Sequence, residues 1–327
     1  MNKGTISLQL LMDQFDTHNQ IENKSPKTRS WYRDSLGQFR AYLEAHGLST
    51  VLGDIDIHRV RDFILYLQSK HKWDDHPSIP GHGRKLSPVS VRTKVRAIRA
   101  FFSWVYREGF TDENLLADLK PPKAPRKLVR VLTLEEIRRL VSAIDRRTIS
   151  GARNFALLVT LLDTGLRLSE IANLQMKNVL MDSGYVKVFG KGSKERIVPV
   201  GATVRSALQR YIAFSRGEGA YPDIDNVFLA LDGFPMTGNA IYLVLKRLGK
   251  RTGIPRLHPH LCRHTFAVNY LMNGGDVFSL QQILGHTTLE MVRRYVTLAS
   301  PQVISQHRKF SPMDRMRIGR RRQSRRK

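Results

Sequence analysis

The stretch ARNFALLVTLLDTGLRLSEIANL, Ala152 to Leu174, decides how the second half of the chain is built. Its segment FALLVTLL, Phe155 to Leu162, is almost wholly apolar. It falls short of the roughly 18 residues that a membrane span needs, and it fits a helix buried inside a domain. The pair Thr164-Gly165 breaks that helix, and the residues from Leu166 onward open another. Arg167 therefore stands at a helix start, where backbone donors and a guanidinium point the same way and suit an oxyanion. Glu170 lies one turn on. It either orients that guanidinium or forms an ordinary ion pair within the helix.

Reading onward, GYVKVFGKGSKERIVPVG is a hairpin: Val186 and Val188 alternate with Tyr185, Lys187 and Phe189, and Ile197, Val198 and Val200 follow a GKGSK turn. The turn holds Lys191 and Lys194 and lacks the spacing of a phosphate-binding P-loop. A hairpin tip can enter a DNA groove, and a lysine there can protonate a leaving oxygen if neighbouring cations lower its pKa; a charged, solvated tip is the plain alternative. Helical patterns return in LHPHLCRHTFAVNYLMNGG. His260 and Arg263, three residues apart, share a helix face, and Pro259 suits the helix start. Both side chains can donate to phosphate oxygens. His258, His260, Cys262 and His264 alternate, but a helix scatters such a set around its circumference, so no zinc site is expected. In ILGHTTLEMVRRYVTL, Ile283 to Leu298, Gly285 ends one helix, and Thr287 with Glu290 predicts a capping box for the next. His286 falls at the junction and Tyr295 about two turns in. A tyrosine hydroxyl, with a pKa near 10, is a weak nucleophile alone. Cations gathered around one phosphate would stabilise both the phenolate and a pentacoordinate transition state.

The first half reads as helices. Ser25, Pro26 and Gly47 are start and stop signals, and Trp31, Leu36, Phe39 and Leu43 recur at helical spacing. In SPVSVRTKVRAIRAFFSWVYREG an apolar face of Val91, Val95, Ile98, Phe102 and Val105 is set against a stripe of Arg92, Arg96 and Arg99. The stripe is either a solvated face or a row of phosphate contacts. LKPPKAPRKLVR, Leu119 to Arg130, reads as a stiff cationic linker. The 327 residues carry 54 Lys+Arg against 28 Asp+Glu, a net charge of +26, which predicts a polyanionic partner, nucleic acid before membrane. A lone cysteine, Cys262, leaves no intrachain disulfide, and the N-terminus lacks a secretory pattern, so a reducing cytoplasm is expected. The expected division is an N-terminal extension over 1–24, a helical DNA-binding domain over 25–118, the linker over 119–130, a catalytic domain over 131–306 and a basic tail over 307–327. From His307 onward the tail holds 10 Lys+Arg and one Asp.

The order of these motifs, TGLRLSEI, GKGSKERIVPV, HPHLCRHTFA and LGHTTLEMVRRY, resembles the tyrosine recombinase family, the phage integrases and Xer-type recombinases. The resemblance covers roughly Ser25 to Ser305. It implies a mainly α (α+β) protein: a helical SAM-like core-binding domain, then a mostly helical catalytic domain with a small antiparallel sheet. It implies a site-specific DNA recombinase in which Tyr295 attacks the scissile phosphate and forms a 3′-phosphotyrosyl bond. Arg167 and Arg263 would hold the non-bridging oxygens, His260 and His286 would assist proton transfer and phosphate binding, and Lys191 would protonate the 5′-oxygen. Glu170 would support them, and Lys27, Arg92, Arg96, Arg99 and Lys194 would contact DNA. No metal, ATP or other cofactor is expected. The partners implied are double-stranded DNA carrying specific sites and a tetramer that passes through a Holliday junction, either a homo-tetramer or one shared with a related recombinase. A type IB topoisomerase, a cleavage-deficient DNA-binding protein of the same fold and a structural nucleoid protein are the alternatives. Deleting Arg315 to Lys327 should flatten the salt dependence of DNA binding, measured as log K against log salt. An unchanged slope would mean that the tail touches no phosphates.

Overall fold

The computed structural model describes residues 5–71, 83, 85–123, 130–190 and 195–298. The hairpin turn with Lys191 and Lys194, residues 124–129 of the expected linker, and the basic tail lie outside the described residues. The chain forms two compact units, residues 1–127 and 128–327.

In the first unit, α1 (Leu8–Ile21), α2 (Pro26–Ala45), α3 (Ile57–Ser69) and α4 (Pro88–Arg107) each begin at a side chain that accepts from the first turn: Ser7, Ser25, Asp56 and Ser87. Such caps satisfy backbone donors that have no partner inside the helix. Proline opens α2 and α4, where its missing N–H costs nothing. Phe15, Phe39, Phe63, Phe101 and Phe102 fill the core between the helices. Segment 1–24, expected as an extension, instead carries α1, whose Leu8, Leu11 and Phe15 belong to this core. On α4 the apolar face is buried as read, Arg92 and Arg96 are exposed, and Arg99 is partly covered. Lys27 is exposed in the first turn of α2.

The second unit is built around α6 (Ile149–Thr164), which contacts α8 (Ala202–Phe214) and α10 (Pro259–Met272) and is buried along most of its length. Its other helices are α5 (Leu134–Ser142), α7 (Leu168–Ala172), α9 (Gly238–Arg251), α11 (Val277–Leu284) and α12 (Glu290–Leu298). The expected hairpin is present as β2 (Tyr185–Phe189) and β3 (Glu195–Pro199), and a short β1 (Val179–Leu180) makes it a three-stranded antiparallel sheet. Val186 pairs with Val198 and Val188 with Arg196, so Arg196 sits in the inward row of β3.

One boundary differs from the sequence reading. The last helix opens at Glu290, not at Thr287. Its first backbone bonds run to the carbonyls of Thr288 and Leu289, and the Thr287 hydroxyl approaches the Met291 sulfur at 3.9 Å, so no Thr287 capping box forms. Tyr295 is the sixth residue of α12, nearer its middle than expected. Phe39→Ala, a truncation in a fully buried position, should lower the unfolding free energy of the first unit by about 3–5 kcal/mol. Chemical denaturation checks this, and a loss below about 1 kcal/mol would contradict the packing described.

Candidate active site

Two helix ends meet here. Helix α6 stops at Gly165 (φ 60°) and α11 at Gly285 (φ 61°), both in the left-handed region that side chains rarely adopt. At Gly165 a Cβ would also lie 2.5 Å from Cδ1 of Phe266. These turns leave carbonyls facing outward from helix C-termini, the negative ends of helix dipoles. Arginines collect there. Arg263 on α10 donates from Nη1 to the Gly165 carbonyl at 2.6 Å and from Nη2 to the Leu284 carbonyl at 2.7 Å, and Nη2 lies 3.0 Å from His286 Nε2. Arg167, at the N-cap of α7, donates to the Gly285 carbonyl at 3.2 Å. Arg196 donates from Nε to the Ile283 carbonyl at 2.8 Å.

Glu170 ties two of these cations together. Its carboxylate accepts from the backbone N–H of Arg167 at 2.7 Å and from the Arg167 guanidinium at 2.8 Å. It also receives both terminal nitrogens of Arg196, each at 2.8 Å. Glu170 is buried. Burial pushes its carboxyl up, but the hydrogen bonds from Arg196 and the Arg167 backbone outweigh that and hold the group at about 2. Arg263 moves the other way: burial, then the neighbouring charge of Arg167, brings its guanidinium down to about 10, still charged at neutral pH. Of the three guanidinia, Arg167 and Arg196 share the carboxylate of Glu170, while Arg263 is held by the carbonyls of Gly165 and Leu284. Three positive charges against one negative leave two to be met by helix-end carbonyls or by a ligand. A bound oxyanion suits that surplus.

Tyr295 is fully buried. Its hydroxyl lies 2.8 Å from Nδ1 of His264, and its ring lies parallel to that of His286 with centroids 6.5 Å apart. It packs in a small satellite core with Phe266, Leu280, Leu284 and Val292. His260 is exposed at the start of α10, with its ring centroid 6.4 Å from that of His264. The second unit thus brings together Arg167, Glu170, Arg263, His286 and Tyr295, with His260 one turn from His264. Lys191 and Lys194 lie outside the described residues, and Lys27, Arg92, Arg96 and Arg99 belong to the first unit.

Sequence reasoning missed Arg196 and His264. A signal existed for each. Arg196 shares the inward strand face with Val198 and Val200, an odd place for a charge. His264 stands one turn beyond His260 and beside Arg263. Among the described residues no group of three His, Cys, Asp or Glu side chains could hold a metal ion. Cys262 is buried, and burial pushes its thiol up to about 12.

The depressed acidity of Glu170 fixes a pH dependence. Its folded-state pKa, about 2, lies below the ordinary 4.5. The stabilisation is therefore complete above pH 4.5 and is lost as pH falls toward 2. By linkage it amounts to about 3 kcal/mol. The stability advantage of the native chain over Glu170→Gln, followed by denaturation at several pH values, should be steady near neutrality and shrink below pH 4.5. An advantage independent of pH would contradict the paired carboxylate.

The chain matches the Phage integrase family over residues 130–301 and the Phage integrase SAM-like domain over residues 10–121. It is 32% identical over 310 residues to tyrosine recombinase XerC of Oceanobacillus iheyensis, covering 93% of this chain and 97% of that protein. With tyrosine recombinase XerD of Listeria innocua the identity is 30% over 291 residues, covering 88% and 93%. The same fold occurs in the XerH recombinase bound to its palindromic difH substrate, with a TM-score of 0.69, 22% identity and coverage of 87% of this chain and 80% of that one. It occurs again in the Tn1549 transposon integrase in complex with a circular intermediate DNA, with a TM-score of 0.70, 20% identity and coverage of 89% and 95%. The chain belongs to the phage integrase family of tyrosine recombinases, enzymes that cleave and rejoin DNA strands in site-specific recombination.

Proposed function

We propose that Tyr295 is the nucleophile and that Arg167, Arg263 and His286 hold the scissile phosphate. The observation that carries this reading is the surplus of charge: two guanidinia on one carboxylate and a third, that of Arg263, held by helix-end carbonyls, beside a tyrosine whose hydroxyl meets His264. The Tyr295 hydroxyl gives up its proton to a neighbouring histidine, its oxygen bonds to phosphorus, the bond to the 5′-oxygen breaks, and a 3′-phosphotyrosyl ester remains. Cations on the non-bridging oxygens stabilise the charge that develops. The leaving oxygen takes a proton, for which Lys191 is the assigned donor and Lys194 the next in line. His260, exposed beside the site, assists proton transfer. The ester conserves the energy of the broken phosphodiester, so rejoining needs no ATP, and arginine and lysine take the place that metal ions hold in many nucleases.

Tyr295 is fully buried with its hydroxyl on His264, so the attack requires that hydroxyl to leave His264. The first unit contributes duplex binding through Lys27, Arg92, Arg96 and Arg99, with α1 packed onto the helical domain of residues 25–118 and with 119–130 as a basic linker to a catalytic domain over 131–306. Two duplexes held by a tetramer and resolved through a Holliday junction complete the reaction, in the cytoplasm where the nucleoid DNA lies. The basic tail over 307–327 adds affinity for DNA.

Mixing the protein with nicked suicide duplexes from its own genetic neighbourhood, without metal, should give a covalent adduct on a denaturing gel. The adduct should vanish in Tyr295→Phe. An adduct that persisted in that variant would show that another side chain attacks.

A further inference from the structure

Arg196 has no role in the chemistry above, yet it reaches three parts of the site. Its two terminal nitrogens meet the two oxygens of Glu170 side by side, both at 2.8 Å. Its Nε donates to the Ile283 carbonyl at the end of α11, also at 2.8 Å. Its stem lies against Gly285: a Cβ built there would come within 3.0 Å of Arg196 Cδ, 3.1 Å of Nε and 3.2 Å of Cζ. The side chain is only 12% exposed. Each of its nitrogens already donates to the protein, so the guanidinium is committed to holding structure.

Its partners are what matter. Glu170 is the group that grips Arg167 by both backbone and side chain. Gly285 supplies the carbonyl that receives Arg167 and is followed directly by His286, which touches Arg263. A rigid, planar fork matched to a carboxylate fixes direction as well as distance, which a lysine ammonium cannot do. Arg196 also sits on β3, the strand that follows residues 191–194, so it links that strand to the helix ends where the arginines gather.

We infer that Arg196 is a positioning residue for strand cleavage: through Glu170 and Gly285 it sets Arg167 and His286 in the geometry that receives the phosphate, without touching the phosphate itself. The inference rests on the assignment of Arg167 to the scissile phosphate.

The test compares two substrates in single-turnover cleavage by the full chain. Both are nicked duplexes carrying the sequence on which the native protein forms its adduct. One has an ordinary scissile phosphodiester and the other a methylphosphonate, in which a methyl group replaces a non-bridging oxygen and removes the charge. A misplaced cation matters for the first and much less for the second. Arg196→Ala should cleave the phosphodiester about 100-fold more slowly, the scale of a small misplacement. The methylphosphonate should suffer a far smaller loss, and DNA affinity should be unchanged. Arg196→Lys keeps the charge and stem but loses the fork. It should show the same selective defect and decides the matter if the alanine variant does not fold. Equal losses on both substrates would mean a general structural role and overturn the inference, as would no loss on either. Arg167→Ala run alongside separates the two levels. If it too fails to discriminate between the substrates, the assignment of Arg167 is wrong and the inference falls with it. If Arg167→Ala discriminates and both Arg196 variants do not, only the role of Arg196 is lost.

Discussion

The site depends on a single buried carboxylate. Glu170 lies between Arg167 and Arg196, accepts from both guanidinia and from one backbone N–H, and is almost sealed from water. Desolvating such a group is costly, and only multiple well-directed hydrogen bonds offset the cost. Removing either guanidinium would leave the buried charge under-compensated, at a cost of up to about 3–5 kcal/mol. The carboxylate is therefore not free to shift, and neither are the arginines that bind it.

The rest of the site follows from where helices stop. Glycines at 165 and 285 let α6 and α11 end in left-handed turns, and the carbonyls so released are taken up by Arg263, Arg196 and Arg167. Backbone dipoles and one carboxylate hold three cations close together while leaving a positive surplus. That arrangement costs stability, since burial and the neighbouring Arg167 bring the Arg263 guanidinium down to about 10. In the proposed reading a scissile phosphate relieves the repulsion, and the relief grows as charge builds on the phosphoryl oxygens. Tyr295, the proposed nucleophile, sits differently, in a small apolar cluster with its hydroxyl on His264.

Much of this was legible in the sequence, for identifiable reasons. The mainly helical fold with a small antiparallel sheet could be read because α6 is largely apolar, because start signals such as Ser25 and Pro26 are explicit, and because Val186 and Val188 alternate cleanly. The pairing of Arg167 with Glu170 could be read from helical spacing. What escaped was non-local. Arg196 meets Glu170 across 26 positions of sequence and Ile283 across 87, and no local period announces such a contact. His264 meets Tyr295 across 31 positions. The start of α12 was misplaced because Thr287 and Glu290 have capping-box spacing, whereas the chain stays irregular for several residues after the Gly285 turn. Helix α1 was passed over because its apolar positions, Leu8, Leu11 and Phe15, are sparse and only its docking onto α2 and α4 shows their purpose.

The central claim is that Glu170 acts on cleavage by holding Arg167. A double-mutant cycle in single-turnover cleavage tests it most directly, using Glu170→Gln, Arg167→Ala and the double variant on the same nicked duplex. If Glu170 works through Arg167, its substitution should slow the native enzyme strongly and the Arg167→Ala enzyme scarcely at all, a coupling well above the few tenths of a kcal/mol expected of independent sites. Equal effects of Glu170→Gln in both backgrounds would show that the carboxylate serves the site by some route other than Arg167.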